Sequence, residues 1–181
     1  MLDKQLCILV QNYLATAAPL RGLVNGDYMM RFQPLQQGRP DDRTVYMHKI
    51  SDRRYGARTV SQRYIAGNIV TRRETQSMET TFQFSVTQPA ALQDNELTHG
   101  DVLKIIAATL QSDDALRFLI ANGASVLRVA DIRTIYVTND RNQHEEQPTF
   151  DLVLKHDDVF VDGQPFFNTF NFQALPVPNI A

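Results

Sequence analysis

Apolar residues at positions 2, 6, 9, 10, 13 and 14 recur every three or four residues, so Leu2, Leu6, Leu9, Val10, Tyr13 and Leu14 make one face of a helix over 2–16. Pro19 and Gly22 end it. A turn at Asn25-Gly26 and a short apolar stretch follow, and then "TVYMHKIS" (44–51), rich in β-formers; both apolar stretches suit strands. Along "SMETTFQFSVTQP" (77–89) the period changes to two: Met78, Thr80, Phe82, Phe84 and Val86 share one face of a half-buried strand. Thr98, with Asp101 three residues on, predicts a capped helix carried by Val102, Ile105, Ile106, Thr109 and Leu110. "SDDALRFLIANG" predicts a second, capped by Ser112 or Asp113 and stopped at Asn122-Gly123. One or two strands are expected in 124–140, and another in "TFDLVLKH" (149–156), where Phe150, Leu152 and Leu154 alternate. A closing hairpin is expected at Asp162-Gly163.

Helix, strands, two helices and then strands joined by short turns give an α+β fold. The expectation is a mainly antiparallel sheet, with an N-terminal helix and a central helix pair packed on it. At 181 residues and 43% hydrophobic, one core is expected, over 1–175, with 176–181 as a loose or partner-binding tail. The N-terminal run looks like a secretory signal, but its mixed charges and Gln11-Asn12 break favour a domain helix. No apolar run approaches the roughly 18 residues that cross a bilayer, so no membrane contact is expected. The single cysteine, Cys7, allows no intrachain disulfide and reads as a small buried apolar residue.

Between the predicted strands lies the feature that composition alone hides. "SDRRYGARTVSQRYIAGNIVTRRET" (51–75) has no sustained period, and it reads as an extended, solvent-facing basic arm within a 43–75 excursion. From Arg43 to Arg73 eight basic residues face Asp52 alone, a net of +7, which leaves −9 elsewhere in a chain of net −2. Six arginines of the arm are the candidate contact residues: Arg53, Arg54, Arg58, Arg63, Arg72 and Arg73. Arginine pairs carboxylates and phosphates in a bidentate fashion. Interleaved Tyr46, Tyr55 and Tyr64 suit a nucleic-acid-binding module. Separate positive and negative surfaces equally suit head-to-tail association of subunits. A solvated loop without a partner is the plain alternative.

Chemistry is otherwise sparse. No nucleophile elbow, phosphate-cradling loop or dinucleotide fingerprint occurs, so no catalytic residues, cofactor or metal are expected and a non-enzymatic role is favoured. His144 in "HEE" and His156 in "KHDD" lack metal-ligand spacing and read as solvated loop charge. Asp157, Asp158 and Asp162 lack the pattern of a calcium loop.

The run "GNIVTRRETQSMETTFQFSVTQPA" (67–90), continued by "HGDVLKIIAATLQSDDALRFLIANGASVLRVADIRTIYVTND" and "FDLVLKH", resembles the neck or tail terminator proteins of tailed bacteriophages. The likeness spans about 67–156 in sequence and 1–175 in element order. It implies a structural virion protein, at the neck or head-proximal end of the tail and in the host cytoplasm during assembly. It also implies a homo-oligomeric ring, usually a hexamer. Such a ring caps the tail tube, and the sheath in contractile tails, and docks the head connector while DNA passes through its lumen. Another connector or tube component is the alternative within the same class.

Overall fold

The computed structural model describes residues 3–23, 29–31, 43–66, 69–87, 97–138 and 144–165. Helix α1 (Asp3–Ala17) buries Leu6, Val10, Tyr13 and Leu14, the predicted stripe. A single 3-10 turn, Pro19–Arg21, stops at Gly22, whose φ of 95° is open to glycine at little cost. Helix α2 (His99–Leu110) starts in a reciprocal box: Thr98 accepts from the Asp101 amide, and the Asp101 carboxylate accepts from Thr98. Donation by the Thr98 hydroxyl (2.6 Å), with its amide, holds the Asp101 carboxyl below its usual range. Helix α3 (Asp113–Ala121) is capped by Ser112. The Ser112 hydroxyl donates to Thr109 O (2.7 Å), so the Tyr13 hydroxyl at 3.0 Å is the donor to Ser112 and ties α1 to the α2–α3 corner.

The strands are β1 (Met29–Arg31), β2 (Thr44–Ala66), β3 (Ile69–Thr87), β4 (Ala124–Val129), β5 (Arg133–Thr138) and β6 (His144–Pro165). Their order is β1-β2-β3-β6-β4, with β5 also on β6. β1 is parallel to β2, while β4 and β5 are antiparallel to β6, along different stretches of it. Side-chain links from β3 fall in number on one strand as they rise on the other: 76 to 55 and 80 to 52 on β2, 77 to 157 and 83 to 151 on β6. β3 is therefore antiparallel to both neighbours, and the fold is α+β.

The packing divides into two units. The first, Met1–Ala57 with Gln76–Asp158, holds the core. Val45 and Met47 of β2, Phe82, Phe84 and Val86 of β3, and Phe150, Leu152 and Leu154 of β6 are fully buried with the apolar faces of the three helices. Phe84 and Phe150 stack with centroids 4.8 Å apart and rings 2° from parallel. In the second unit, Arg58–Thr75 with Val159–Ala181, the described residues are the distal parts of β2, β3 and β6.

Three expectations are corrected. Asp162 and Gly163 do not turn a hairpin but lie inside β6, which runs unbroken to Pro165. "HEEQP" is not a loop, because His144–Pro148 pair with β5 in register Thr138↔His144 to Thr134↔Pro148. "KHDDVF" does not leave the strand either. A turn dipeptide is only a local preference, and a long ladder supplies hydrogen bonds that outweigh it. The Asn25-Gly26 turn and the tail at 176–181 lie outside the described residues.

Candidate partner interface on the arginine-rich strands

Why the arm is extended follows from its neighbours. The core face of β2 ends after Met47, and every residue from Ser51 to Arg63 is exposed, yet the segment remains strand. The β2–β3 ladder pairs one side of its backbone, and that ladder rather than burial of side chains keeps it extended. Within the first unit β2 passes through Gly56 with a φ of 71°. There the buried Gln76 side chain reaches Tyr55 O (3.1 Å), Gly56 O (3.3 Å) and Ser77 O (3.1 Å). A Cβ at Gly56 has free space but a left-handed backbone. Gly56→Ala is expected to cost about 1–2 kcal/mol from backbone strain alone. Gln76→Ala should cost about 0.5–1.5 kcal/mol, because it removes the buried side chain that donates to the Tyr55, Gly56 and Ser77 carbonyls. Urea unfolding checks both.

The six predicted arginines are all on β2 and β3, and they divide into two groups. In the second unit Arg58 Nη1 and Arg72 Nη2 share one carboxylate, that of Glu74, at 2.6 and 2.7 Å. They line an open groove of about 380 Å³ with Glu74, Phe160 and Asp162. Arg63 and Arg73 of that unit, and Arg53 and Arg54 of the first, are exposed and have no ion pair among the described residues. Two other basic residues counted with the arm serve the first unit instead. Arg43 donates to Leu97 O at 2.9 Å, and Lys49 pairs with Asp3 at 2.7 Å and with Asp52. Tyr55 is exposed, with Lys155 Nζ 5.4 Å above its ring.

Sequence reasoning placed Thr80 on the β3 face but missed the polar layer it joins at the end of the first unit's core. Lys49 follows Val45 and Met47 at period two, Thr80 precedes Phe82 and Phe84, and His156 follows Leu152 and Leu154. The three polar side chains therefore continue the apolar faces, and the alternation that placed Thr80 was the signal that could have found Lys49 and His156. Thr80 Oγ1 donates to Asp52 Oδ1 (2.8 Å), which leaves its lone pair to accept from His156 Nε2 at 2.9 Å. His156 is thus a buried residue of β6 and not solvated loop charge; its Nδ1 has no hydrogen-bond partner and lies 3.4 Å from Asp158 Oδ1. Burial depresses the His156 pKa below its usual value, against the pull of Asp158 and Asp52. For Asp52, burial pushes up but bonds from Lys49 and Thr80 prevail, and its pKa is lowered.

The sign of the pH effect follows. With His156 held neutral in the fold, the unfolded chain binds its proton first. Stability is full above the ordinary histidine pKa of about 6.5 and is lost as pH falls from there toward the lower folded value. Between roughly pH 7.5 and 5, the urea midpoint of the wild type should fall more than that of His156→Gln.

Among the described residues no three His, Cys, Asp or Glu side chains come together as metal ligands, and no helix is long and apolar enough to cross a membrane. Cys7 is half-buried against the core, and burial, with Asp3 nearby, pushes its thiol up to about 11, so it is protonated at neutral pH.

No curated protein matches the chain. Among solved structures, the sheath/tube terminator in the extended state of PVC, an extracellular contractile injection system, is similar at 16% identity and a TM-score of 0.44. The match covers 96% of this chain and 64% of that one, so the chain spans less than two thirds of that terminator's length. The family model described as E217 gateway protein gp29 matches residues 5–165, nearly the whole described fold. The phage kinship expected from "QSMETTFQF" and the elements after it is borne out, and the chain belongs to the E217 gateway protein gp29 family of bacteriophage proteins.

Proposed function

We propose that this protein is a non-enzymatic tail terminator of the virion neck. It forms a ring, a hexamer by its resemblance to terminators, that caps the tail tube and joins the tail to the head connector, with DNA passing through the lumen. The observation that carries the reading is the gateway-family match over residues 5–165. The strands support it: four exposed arginines without an ion pair among the described residues are suited to carboxylates on an adjacent subunit or a neighbouring ring. Arg58 and Arg72, already neutralised in part by Glu74, take a lesser share.

Particles assembled without the protein are expected to show heads separated from tails, and tails of irregular length, in electron micrographs. Joined particles with tails of normal length would refute the reading. A second reading, contact with the DNA backbone, draws on the same exposed arginines beside exposed Tyr55. It predicts that purified protein retains DNA with an affinity that falls steeply with salt.

A further inference from the structure

Two strands of the sheet each leave one side without a described partner. β1 covers β2 only at Thr44–Tyr46, and beyond Tyr46 no other described strand pairs with that side of β2. On β6, β5 takes His144–Thr149 and β4 takes Leu152–His156; beyond His156 no described strand occupies that side. An open edge is a row of unmet N–H and C=O groups and a template for strand addition. Each edge bears exposed apolar side chains beside its charges: Ile50, Tyr55 and Val60 on β2, and Val159, Phe160 and Val161 in succession on β6.

Charge separates the two edges. β2 carries Arg53, Arg54, Arg58 and Arg63 against Asp52 between residues 52 and 63, whereas β6 carries Asp157, Asp158 and Asp162 and no cation between 157 and 165. Some of these groups have intrachain bonds, Asp157 with Ser77 at 2.6 Å and Arg58 with Glu74, but the opposite signs remain. We infer that the β6 edge of one copy pairs with the β2 edge of the next, so that the sheet continues from subunit to subunit. The occupant is a second copy of this chain.

Direction and charge together fix the mode. β2 and β6 are each antiparallel to β3, so they point the same way within one copy. Head-to-tail repetition then pairs them in parallel, with basic edge against acidic edge. A two-fold dimer would instead set β2 against β2, arginines facing arginines, or β6 against β6, aspartates facing aspartates; like charges opposite each other are repelled. The inference rests on the ring reading above and specifies its interface.

The test uses the full chain with a photo-reactive benzoylphenylalanine in place of Val60, as an equal mixture of isotope-labelled and unlabelled copies. Oligomerisation is followed by sedimentation velocity at rising concentration and on isolated tail tubes. The expected cross-links run from position 60 to peptides within 157–165 and include mixed-isotope pairs. Arg63→Asp and Asp162→Arg should each weaken association roughly tenfold, and the double variant should recover it. Cross-links from position 60 to β2 of another copy, or only within single-isotope pairs, would overturn the edge pairing, as would oligomers without any link to β6. In those cases the ring itself would stand. Monomers under every condition, on tubes and off, would remove the ring reading as well.

Discussion

Replacing Arg53, Arg54, Arg63 and Arg73 together with serine is expected to abolish ring assembly at concentrations where the wild type is fully assembled, while leaving the subunit folded. None of the four has an ion pair among the described residues, so their removal breaks no intrachain pair there. An exposed pair contributes about 0.2–1 kcal/mol, so four lost at one interface amount to roughly 1–4 kcal/mol, or a several-fold to several-hundred-fold loss of association. Closure of a ring repeats that loss at every interface. Arg72→Ser is the matched control: Glu74 keeps Arg58 as partner, and both stability and assembly should move by less than about 1 kcal/mol. Analytical ultracentrifugation reads the assembly, and circular dichroism reads the fold. If the quadruple variant assembles normally but loses salt-sensitive DNA retention, the arginines serve the nucleic acid instead.

The second large effect concerns the core. Phe84→Ala should destabilise the protein by about 3–5 kcal/mol, a large share of the roughly 5–15 kcal/mol typical of a domain. Phe84 is fully buried and stacked on Phe150, at the centre of the face that β3 and β6 share with the helices. The cavity cannot collapse easily, since its other walls belong to a packed sheet. Phe160→Ser in the second unit is the contrast, because Phe160 is 59% exposed and its loss should change stability by no more than about 0.5 kcal/mol. Urea denaturation distinguishes the two, with the expected midpoint shift confined to Phe84→Ala.

Much of the fold was legible because its elements obey a period. The stripe of α1, the Thr98 and Ser112 caps, the Asn122-Gly123 stop and the β3 face Thr80-Phe82-Phe84-Val86 all fall where the residues require them. Strand length was not legible. Beyond Met47 on β2 and beyond His156 on β6 no apolar side chain continues the buried face, so the backbone ladder extends a strand whose side chains give no signal. Asp162-Gly163 reads as a turn in isolation and is overruled by that ladder. His156 was hidden for the opposite reason: it sits in phase with the apolar residues but is polar, and it is accommodated by bonding to Thr80, which in turn donates to Asp52.

For the interface, sequence showed where the positive charge lies but not which part of it is already spent. Glu74 follows Arg72 and Arg73 directly, yet only the cross-strand approach of Arg58 shows that one carboxylate serves two cations. The acidic counterpart was equally concealed, since Asp157, Asp158 and Asp162 looked like loop residues until β6 carried them along one strand.

The central claim is that the chain builds a ring between tail tube and head. Cryo-electron microscopy of the intact virion neck tests it most directly. The account predicts a closed ring of this fold at the head-proximal end of the tube, with β2 of each subunit against β6 of the next and DNA in its lumen. Density for this fold at another place in the particle, or as isolated subunits making no contact with one another, would contradict it.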